Sequence, residues 1–156
     1  MNSGDVDAQK IISHSAGETT AKGRELAAQI TPPVLLLLSG DLGAGKTTLA
    51  KGIVSGLGAA REEDVTSPTF TLIHSFRNHT RVYHVDLYRI TDFHDLETLG
   101  LEDILSEPAV VIVEWPDKLT LRTDWPVIRI RLEHIDDASR AITISDPSGA
   151  LQCVRK

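Results

Sequence analysis

A short glycine-rich segment is the part of this sequence whose residue types and spacing point most directly to chemistry. Residues 40–47 read Gly-Asp-Leu-Gly-Ala-Gly-Lys-Thr, which fits the phosphate-loop pattern of Gly, four residues, Gly-Lys and Ser or Thr. In such a loop the backbone amides converge on phosphate oxygens, Lys46 reaches the β- and γ-phosphates, and the Thr47 hydroxyl binds Mg²⁺. A glycine turn that merely caps a helix has no need of Lys followed by Thr. We therefore predict a nucleotide-phosphate site with a metal ion.

Two carboxylates could complete a nucleotide-hydrolysing site. Asp86 directly follows the apolar and aromatic run at residues 82–85, and Glu114 directly follows the apolar run at residues 110–113. Hydrolysis needs an acid at the tip of a strand beside the phosphate loop, to hold Mg²⁺ directly or through water and to orient the attacking water. Each acid alone could equally be a solvated strand end. Together with the phosphate loop they favour the functional interpretation.

The loop at residues 66–71, Thr-Ser-Pro-Thr-Phe-Thr, is a third candidate element. In switch-type nucleotidases this connection brings a hydroxyl or backbone group to the γ-phosphate and becomes ordered on binding. A turn shaped by Pro68 explains the same composition, so both interpretations stay open. Trp115 could pack against its surroundings or shield the site, and Arg89 and Arg140 could meet phosphates or form surface ion pairs.

Histidines are numerous in the central part of the chain, but their spacing does not form a compact ligand cluster. Alternation along a strand explains two of them without any metal, so we predict no zinc site. The residues concerned are His74, His79, His84 and His94.

The elements around these candidates predict an α/β fold with three layers and a mixed, partly antiparallel central sheet, which is parallel in its centre and antiparallel toward an edge. Residues 34–38 are apolar at every position, which predicts a strand covered on both faces, and the helix that follows carries apolar residues at helical spacing. The other predicted elements are a helix at 16–29 opened by a Ser15–Glu18 capping box, a hairpin of 69–76 and 81–86, a helix at 93–105, a strand at 109–113, and a hairpin of 127–133 and 140–145.

Length and charge limit the function further. The chain has 156 residues, and we predict one phosphate-loop domain over residues 1–156, with loosely ordered tails at 1–8 and 147–156. A net charge of −6 repels nucleic acid and anionic lipid, which disfavours direct binding of RNA or DNA and membrane association. The single cysteine, Cys153, fits a reducing compartment, and no apolar run approaches a membrane span, so we expect a cytoplasmic protein.

These motifs, taken in this order, resemble the bacterial TsaE family, the small ATPases of tRNA threonylcarbamoyladenosine biosynthesis. The resemblance spans roughly residues 12–145 and rests on four segments: GDLGAGKTT at 40–48, SPTFTL at 67–72, HVDLYR at 84–89 and VEWP at 113–116. It implies a Mg²⁺-dependent ATPase that acts with two partner proteins, TsaB and TsaD, in modifying the adenosine beside the anticodon. On this view the chain meets tRNA only indirectly, through the complex.

The resemblance also implies roles for individual residues. Lys46, Asp86 and Glu114 would be catalytic, with Asp86 assisting hydrolysis, and Thr47 and Glu114 would ligate Mg²⁺. Ser67 and Thr69 would belong to the switch-like loop, and the turn around Glu18 and Thr19 would approach the nucleotide base. The predicted ATP-binding residues are Gly43, Ala44, Gly45, Lys46, Thr47, Thr48, Thr19, Thr69 and Asp86.

Two other functions compete with this one. A small-molecule phosphate-loop kinase would need an acceptor pocket and an arginine-bearing lid, and the sequence after Lys46 offers no contiguous basic helix. A non-catalytic scaffold gated by nucleotide is the second. Because no arginine finger is evident, we predict weak ATP hydrolysis by the chain alone and faster hydrolysis with partners.

Overall fold

A computed structural model describes residues 8–68, 72–91, 100–118, 123–147 and 149–151. Within these ranges seven strands form one mixed sheet: β1 (Gln9–Ser13), β2 (Val34–Ser39), β3 (Ile73–Phe76), β4 (Val82–Asp86), β5 (Val110–Glu114), β6 (Val127–His134) and β7 (Arg140–Ser145). Their order across the sheet is β1-β7-β6-β2-β5-β4-β3. The strands β4, β5, β2 and β6 run parallel, and the pairs β1–β7, β6–β7 and β3–β4 are antiparallel. The predicted mixed sheet, parallel in its centre, is confirmed.

Helices cover both faces of this sheet. In the part of the chain that the structure describes they are α1 (Ala16–Ala27), α2 (Lys46–Gly56) and the short α3 (Leu101–Ile104), with 3-10 turns at Glu62–Asp64 and Pro116–Lys118. One buried cluster joins side chains of α1 and α2 to Leu36 and Leu38 of β2, and a second joins α3 to Leu35 and Leu37. Alternate residues of β2 therefore enter opposite cores, which is why this strand is apolar at every position. The result is the predicted three-layer arrangement.

Helix α1 begins with the predicted capping box. The Glu18 amide donates to Ser15 Oγ at 3.1 Å, and the Glu18 carboxylate accepts from the His14 amide at 2.8 Å. The helix ends at Ala27, two residues before the predicted end, and the next buried side chain, Ile30, lies beyond it. The prolines at 32 and 33 lie several residues beyond the helix and do not mark its end.

Glycines bring α1 and α2 unusually close together. A Cβ on Gly52 would lie 2.0 Å from the Thr20 carbonyl oxygen, and one on Gly23 would lie 2.4 Å from the Leu49 carbonyl oxygen. Neither position has room for a larger side chain, so the two backbones touch. Because α2 carries Lys46 and Thr47 at its first turn, this contact fixes the height of the phosphate loop above the sheet.

Other elements differ from the sequence prediction. Residues 9–13 form an edge strand that pairs with β7, which the sequence did not predict. Strand β3 begins at Ile73, after Leu72, whose φ is +72°, and residues 69–71 lie outside the described part. Of the predicted helix at 93–105 only Leu101–Ile104 is helical among the described residues, since 92–99 lie outside them, as do 1–7, 148 and 152–156. No helix in the described ranges is long and apolar enough to cross a bilayer.

Candidate nucleotide site

The phosphate loop lies at the carboxyl end of β2, between that strand and α2. It contains three glycines with positive φ, among them Gly40 at +147° and Gly45 at +103°. A Cβ on Gly40 would also lie 2.4 Å from the Leu132 carbonyl oxygen, so only glycine fits there. The loop therefore turns tightly enough to leave the amino end of α2 open toward the cleft, with the partial positive charge that favours anions.

Strand register brings the two predicted carboxylates beside this loop. Leu38, near the end of β2, is paired with Glu114 of β5, and Glu114 is paired with Asp86 of β4. Parallel neighbours end at the same edge of a sheet, so loop and acids share one face of the molecule. Thr47 Oγ1 donates to Glu114 Oε2 at 3.0 Å. The hydroxyl and carboxylate predicted to share a metal ion are thus in direct contact.

Asp86 connects the strand end to the segment before β3. Its Oδ2 accepts a hydrogen bond from the Ser67 hydroxyl at 3.0 Å, and its Oδ1 accepts one from the Tyr88 amide at 2.8 Å. The predicted switch-like residue Ser67 therefore does meet a site carboxylate. Its companion Thr69 lies outside the described residues, so its role stays a prediction.

Lys46 is held by the loop itself. Its Nζ donates to the carbonyl oxygens of Gly40 at 2.6 Å and Asp41 at 2.9 Å. Burial lowers the pKa of Lys46 from its ordinary value of 10.5, and the negative charges of Glu114, Asp86 and Asp41 oppose that shift. To bind phosphate, Lys46 would have to exchange its hydrogen bonds with the Gly40 and Asp41 carbonyl oxygens for hydrogen bonds with phosphate oxygens.

Two aromatic rings lie beside the lysine. The Trp115 ring centroid is 4.2 Å from Lys46 Nζ, a cation–π distance, and the Tyr88 ring centroid is 4.9 Å from that of Trp115. Trp115 has a φ of +62°, a conformation that non-glycine residues rarely adopt and that clusters at functional sites. The sequence left the role of Trp115 open, and the structure places its ring against Lys46, the lysine predicted to bind phosphate.

These groups surround one cleft of about 220 Å³. Most of the sequence-predicted site residues line it, as do Ser67 of the predicted switch-like loop and Trp115, whose role the sequence left open. Leu42 and Tyr88 also line it, although the sequence did not assign them to nucleotide binding. The lining residues are Leu42, Gly43, Gly45, Lys46, Thr47, Thr48, Ser67, Asp86, Tyr88, Glu114 and Trp115.

Two predicted nucleotide-binding residues, Ala44 and Thr19, are buried and do not line the cleft. Ala44 is fully buried, and its predicted contribution is its backbone amide. Thr19 is buried as well: its hydroxyl is 2.6 Å from Ser13 Oγ, and its methyl group would lie 3.8 Å from a Cβ on Gly45. The Thr19 hydroxyl is thus engaged inside the protein, and its approach to the base stays a prediction.

His84 is a site residue that sequence reasoning missed. It is fully buried, and its Nε2 lies 2.6 Å from Glu114 Oε2. The prediction treated this histidine as a strand residue explained by alternation alone. The available signal was its place two residues before Asp86, which puts both side chains on one face of β4.

The chemistry of the donors suits a magnesium ion. Mg²⁺ prefers oxygen ligands and usually takes one or two protein groups together with phosphate oxygens. The Thr47 hydroxyl and the Glu114 carboxylate are such donors, and both line the cleft beside the amino end of α2. The residues present therefore fit Mg²⁺, with Thr47 and Glu114 as the groups that would hold it.

Comparisons with known proteins agree with one another. The model of a family described as "Threonylcarbamoyl adenosine biosynthesis protein TsaE" matches residues 13–142. A tRNA threonylcarbamoyladenosine biosynthesis protein TsaE from Treponema pallidum is 30% identical over 136 residues, which cover 87% of this chain and 99% of the relative. The protein of the same description from Bacillus subtilis is 38% identical over 129 residues, covering 82% and 79%.

A solved structure is similar over nearly the same extent. The crystal structure of Bacillus subtilis YdiB superposes with a TM-score of 0.68 at 30% sequence identity. The match covers 89% of this chain and 85% of YdiB.

Proposed function

The chain belongs to the TsaE family, and from that premise we propose that it is a Mg²⁺-dependent ATPase of tRNA threonylcarbamoyladenosine biosynthesis. The observation that carries the proposal is the 3.0 Å contact between Thr47 Oγ1 and Glu114 Oε2 at the first turn of α2. A hydroxyl and a carboxylate in contact below a phosphate loop form a ligand pair that a plain helix cap would not need.

In this mechanism the protein mainly positions groups and stabilises charge. The amides of residues 43–48 bind the phosphates, and Lys46 exchanges the Gly40 and Asp41 carbonyls for phosphate oxygens. Thr47 and Glu114 would hold Mg²⁺, which when bound would neutralise negative charge on the phosphates. Asp86 accepts a hydrogen bond from the attacking water and so orients it toward the γ-phosphate.

We propose further that TsaB and TsaD complete the site. No arginine lines the cleft within the described part of the chain. The guanidinium of Arg140 donates instead to carbonyl oxygens, those of Asp136 at 2.9 Å and Gly43 at 3.2 Å among them. A positive group supplied in trans is worth 10³–10⁵ in rate in other nucleotidases. The chain alone would therefore hydrolyse ATP slowly and would act on tRNA only through the complex.

The test combines binding, turnover and tRNA modification. Calorimetric titration with Mg–ATP should show saturable binding by the wild-type chain, and phosphate release should rise when TsaB and TsaD are added. The Lys46→Met variant should lose both, whereas Lys51→Ala, which removes a cation from the same helix outside the cleft lining, should keep them.

Four results would contradict parts of the proposal. Mg–ATP binding that survives Lys46→Met unchanged would exclude the phosphate loop as the nucleotide site. Turnover that is equal with and without partners would remove the activation. Loss of hydrolysis with full tRNA modification in Lys46→Met would favour a nucleotide-gated scaffold, and transfer of phosphate to a small molecule would favour a kinase.

A further inference from the structure

Glu114 is held by a second side chain, from the neighbouring strand β4. We propose that His84 is a positioning residue, which fixes the Glu114 carboxylate so that it can bind the cation of Mg–ATP. The inference rests on the proposed function, since it concerns the same nucleotide site. It adds a residue that does not itself touch the nucleotide or the metal.

The contact lies in the interior of the molecule. His84 Nε2 is 2.6 Å from Glu114 Oε2, and the two side chains are 0% and 3% exposed. A carboxylate without water around it depends on protein donors, and a missing donor leaves it unsatisfied. His84 is thus well placed to decide which way the Glu114 carboxylate faces.

The hydrogen-bond pattern indicates which ring nitrogen carries the hydrogen. An ionised carboxylate only accepts, so Nε2–H is the donor in this bond. The other ring nitrogen, Nδ1, is buried and has no partner within the described residues. A neutral ring with its single hydrogen on Nε2 fits both observations.

Both donors to Glu114 converge on one oxygen. Thr47 Oγ1 lies 3.0 Å from Oε2 and 3.3 Å from Oε1, so its hydrogen goes to the nearer Oε2, which also accepts from His84. Among the described residues this leaves Oε1 with the weaker contact and with lone pairs to spare. The histidine therefore anchors one carboxylate oxygen and leaves the other to meet a cation or its water.

The terminal torsion of a glutamate is soft, so a carboxylate without its anchor can rotate. Partners that orient metal ligands in this way typically contribute 10- to 100-fold in metal affinity. A histidine that only filled space in the core would affect folding and would not distinguish nucleotide binding with Mg²⁺ from nucleotide binding without it. That difference separates the two roles.

The experiment compares three substitutions of His84 in the 156-residue chain. His84→Phe keeps the ring volume without a donor, His84→Gln places an amide N–H near the former Nε2, and His84→Asn places its amide near the former Nδ1. Affinity for the non-hydrolysable β,γ-imido analogue of ATP is measured by calorimetry, once with Mg²⁺ and once with EDTA. Thermal unfolding of each variant is recorded in parallel.

We expect His84→Phe and His84→Asn to weaken binding about 10- to 100-fold with Mg²⁺ and to leave binding in EDTA unchanged. His84→Gln should recover most of the loss with Mg²⁺. Equal losses in Mg²⁺ and EDTA, or no loss in a folded variant, would overturn the positioning role. If the wild-type chain binds no analogue under either condition, the proposed function fails; if it binds equally well with and without Mg²⁺, only the inference about His84 fails.

The wild-type protein provides a measurement that does not depend on how the variants fold. Long-range ¹⁵N–¹H spectra of the histidine side chains should show His84 with hydrogen on Nε2 and none on Nδ1. The Nε2–H signal should shift when Mg²⁺ is added to the complex with the analogue. It should stay in place when EDTA is added to that complex instead of Mg²⁺. Hydrogen found on Nδ1 alone would overturn the proposal.

Discussion

Thr47 has two tasks at the scale of the single residue, because its oxygen would bind the cation while its hydrogen is donated to Glu114. Thr47→Val removes the hydroxyl and keeps the shape, and Thr47→Ser keeps the hydroxyl. The valine variant lacks the oxygen that would bind the cation, so we expect it to bind Mg–ATP about tenfold more weakly or worse. Calorimetry checks this, and a serine variant as weak as the valine variant would contradict it.

We expect the buried Lys46 side chain to lower the free energy of unfolding of the nucleotide-free protein, although it is proposed to contribute to nucleotide binding. Burial lowers its pKa, which means that the folded chain holds this proton less tightly than the unfolded chain does. At a pH between the lowered pKa of Lys46 in the folded chain and its ordinary pKa of 10.5, the unfolded state binds more protons than the folded state. The free energy of unfolding therefore rises with pH through that range. Lys46→Met removes the buried charge, so the nucleotide-free variant should be more stable than the wild type and should lose this part of the pH dependence.

Urea unfolding of both chains at neutral pH and at two alkaline values measures the difference. Taking that difference cancels the other groups that titrate in the same range. A methionine variant that is less stable than the wild type at every pH would show that Glu114, Asp86 and Asp41 hold the lysine more strongly than burial disfavours it.

Sequence could predict residues whose role follows from a local pattern. Lys46, Thr47, Asp86 and Glu114 each belong to a short motif, and all four line the cleft. The Lys46 contacts with the Gly40 and Asp41 carbonyls could not be predicted, because they depend on how the loop folds when no phosphate is present. His84 was missed for a related reason: its significance comes from a partner 30 positions away.

At the scale of the element, the contact between α1 and α2 depends on missing side chains. Gly52→Ala would place a methyl group 2.0 Å from the Thr20 carbonyl oxygen, an overlap that the two backbones can relieve only by moving apart. We expect it to reduce the free energy of unfolding by about 3 kcal/mol. Since α2 carries the phosphate loop, Mg–ATP affinity should fall as well.

Gly17→Ala on α1 is the matched control. Its new methyl group would meet only Ser15 Oγ, at an ordinary 3.7 Å, so the loss of a flexible helical glycine should stabilise the protein by about 0.5–1 kcal/mol. Denaturant unfolding of the two variants gives the comparison. Similar stabilities would show that the helices can separate without cost and would contradict the close-packing argument.

Elements whose own residues show a strong pattern were predicted correctly from the sequence. Elements that form only because they pair with another strand were not. In the apolar β2 and the alternating β6, the residues of the strand themselves indicate which side chains are buried. Most residues of β1 are exposed, and the segment is a strand because its backbone pairs with the edge of the sheet formed by β7. Only the sheet as a whole decides such a case.

The strand order explains, at the scale of the whole molecule, why residues far apart in sequence share one site. With β2, β5 and β4 adjacent and parallel, the phosphate loop, Glu114 and Asp86 all lie at the same edge. The sequence predicted a parallel centre but not this order, which depends on long-range packing. This strand order therefore brings three motifs that are far apart in sequence together around one cleft.

The charge of the whole molecule supports a final prediction about RNA. Tight binding of tRNA relies on basic groups that release counterions from the phosphates, and this chain has 22 acidic residues against 16 basic ones. We therefore expect the chain alone not to retain tRNA, and anisotropy of labelled tRNA should show no saturable binding at either 50 or 200 mM salt. The mixture with TsaB and TsaD should retain it, because the partners would supply the contacts. Tight binding by the chain alone, weakening steeply with salt, would mean that a local basic surface outweighs the net charge and that this protein holds the RNA itself.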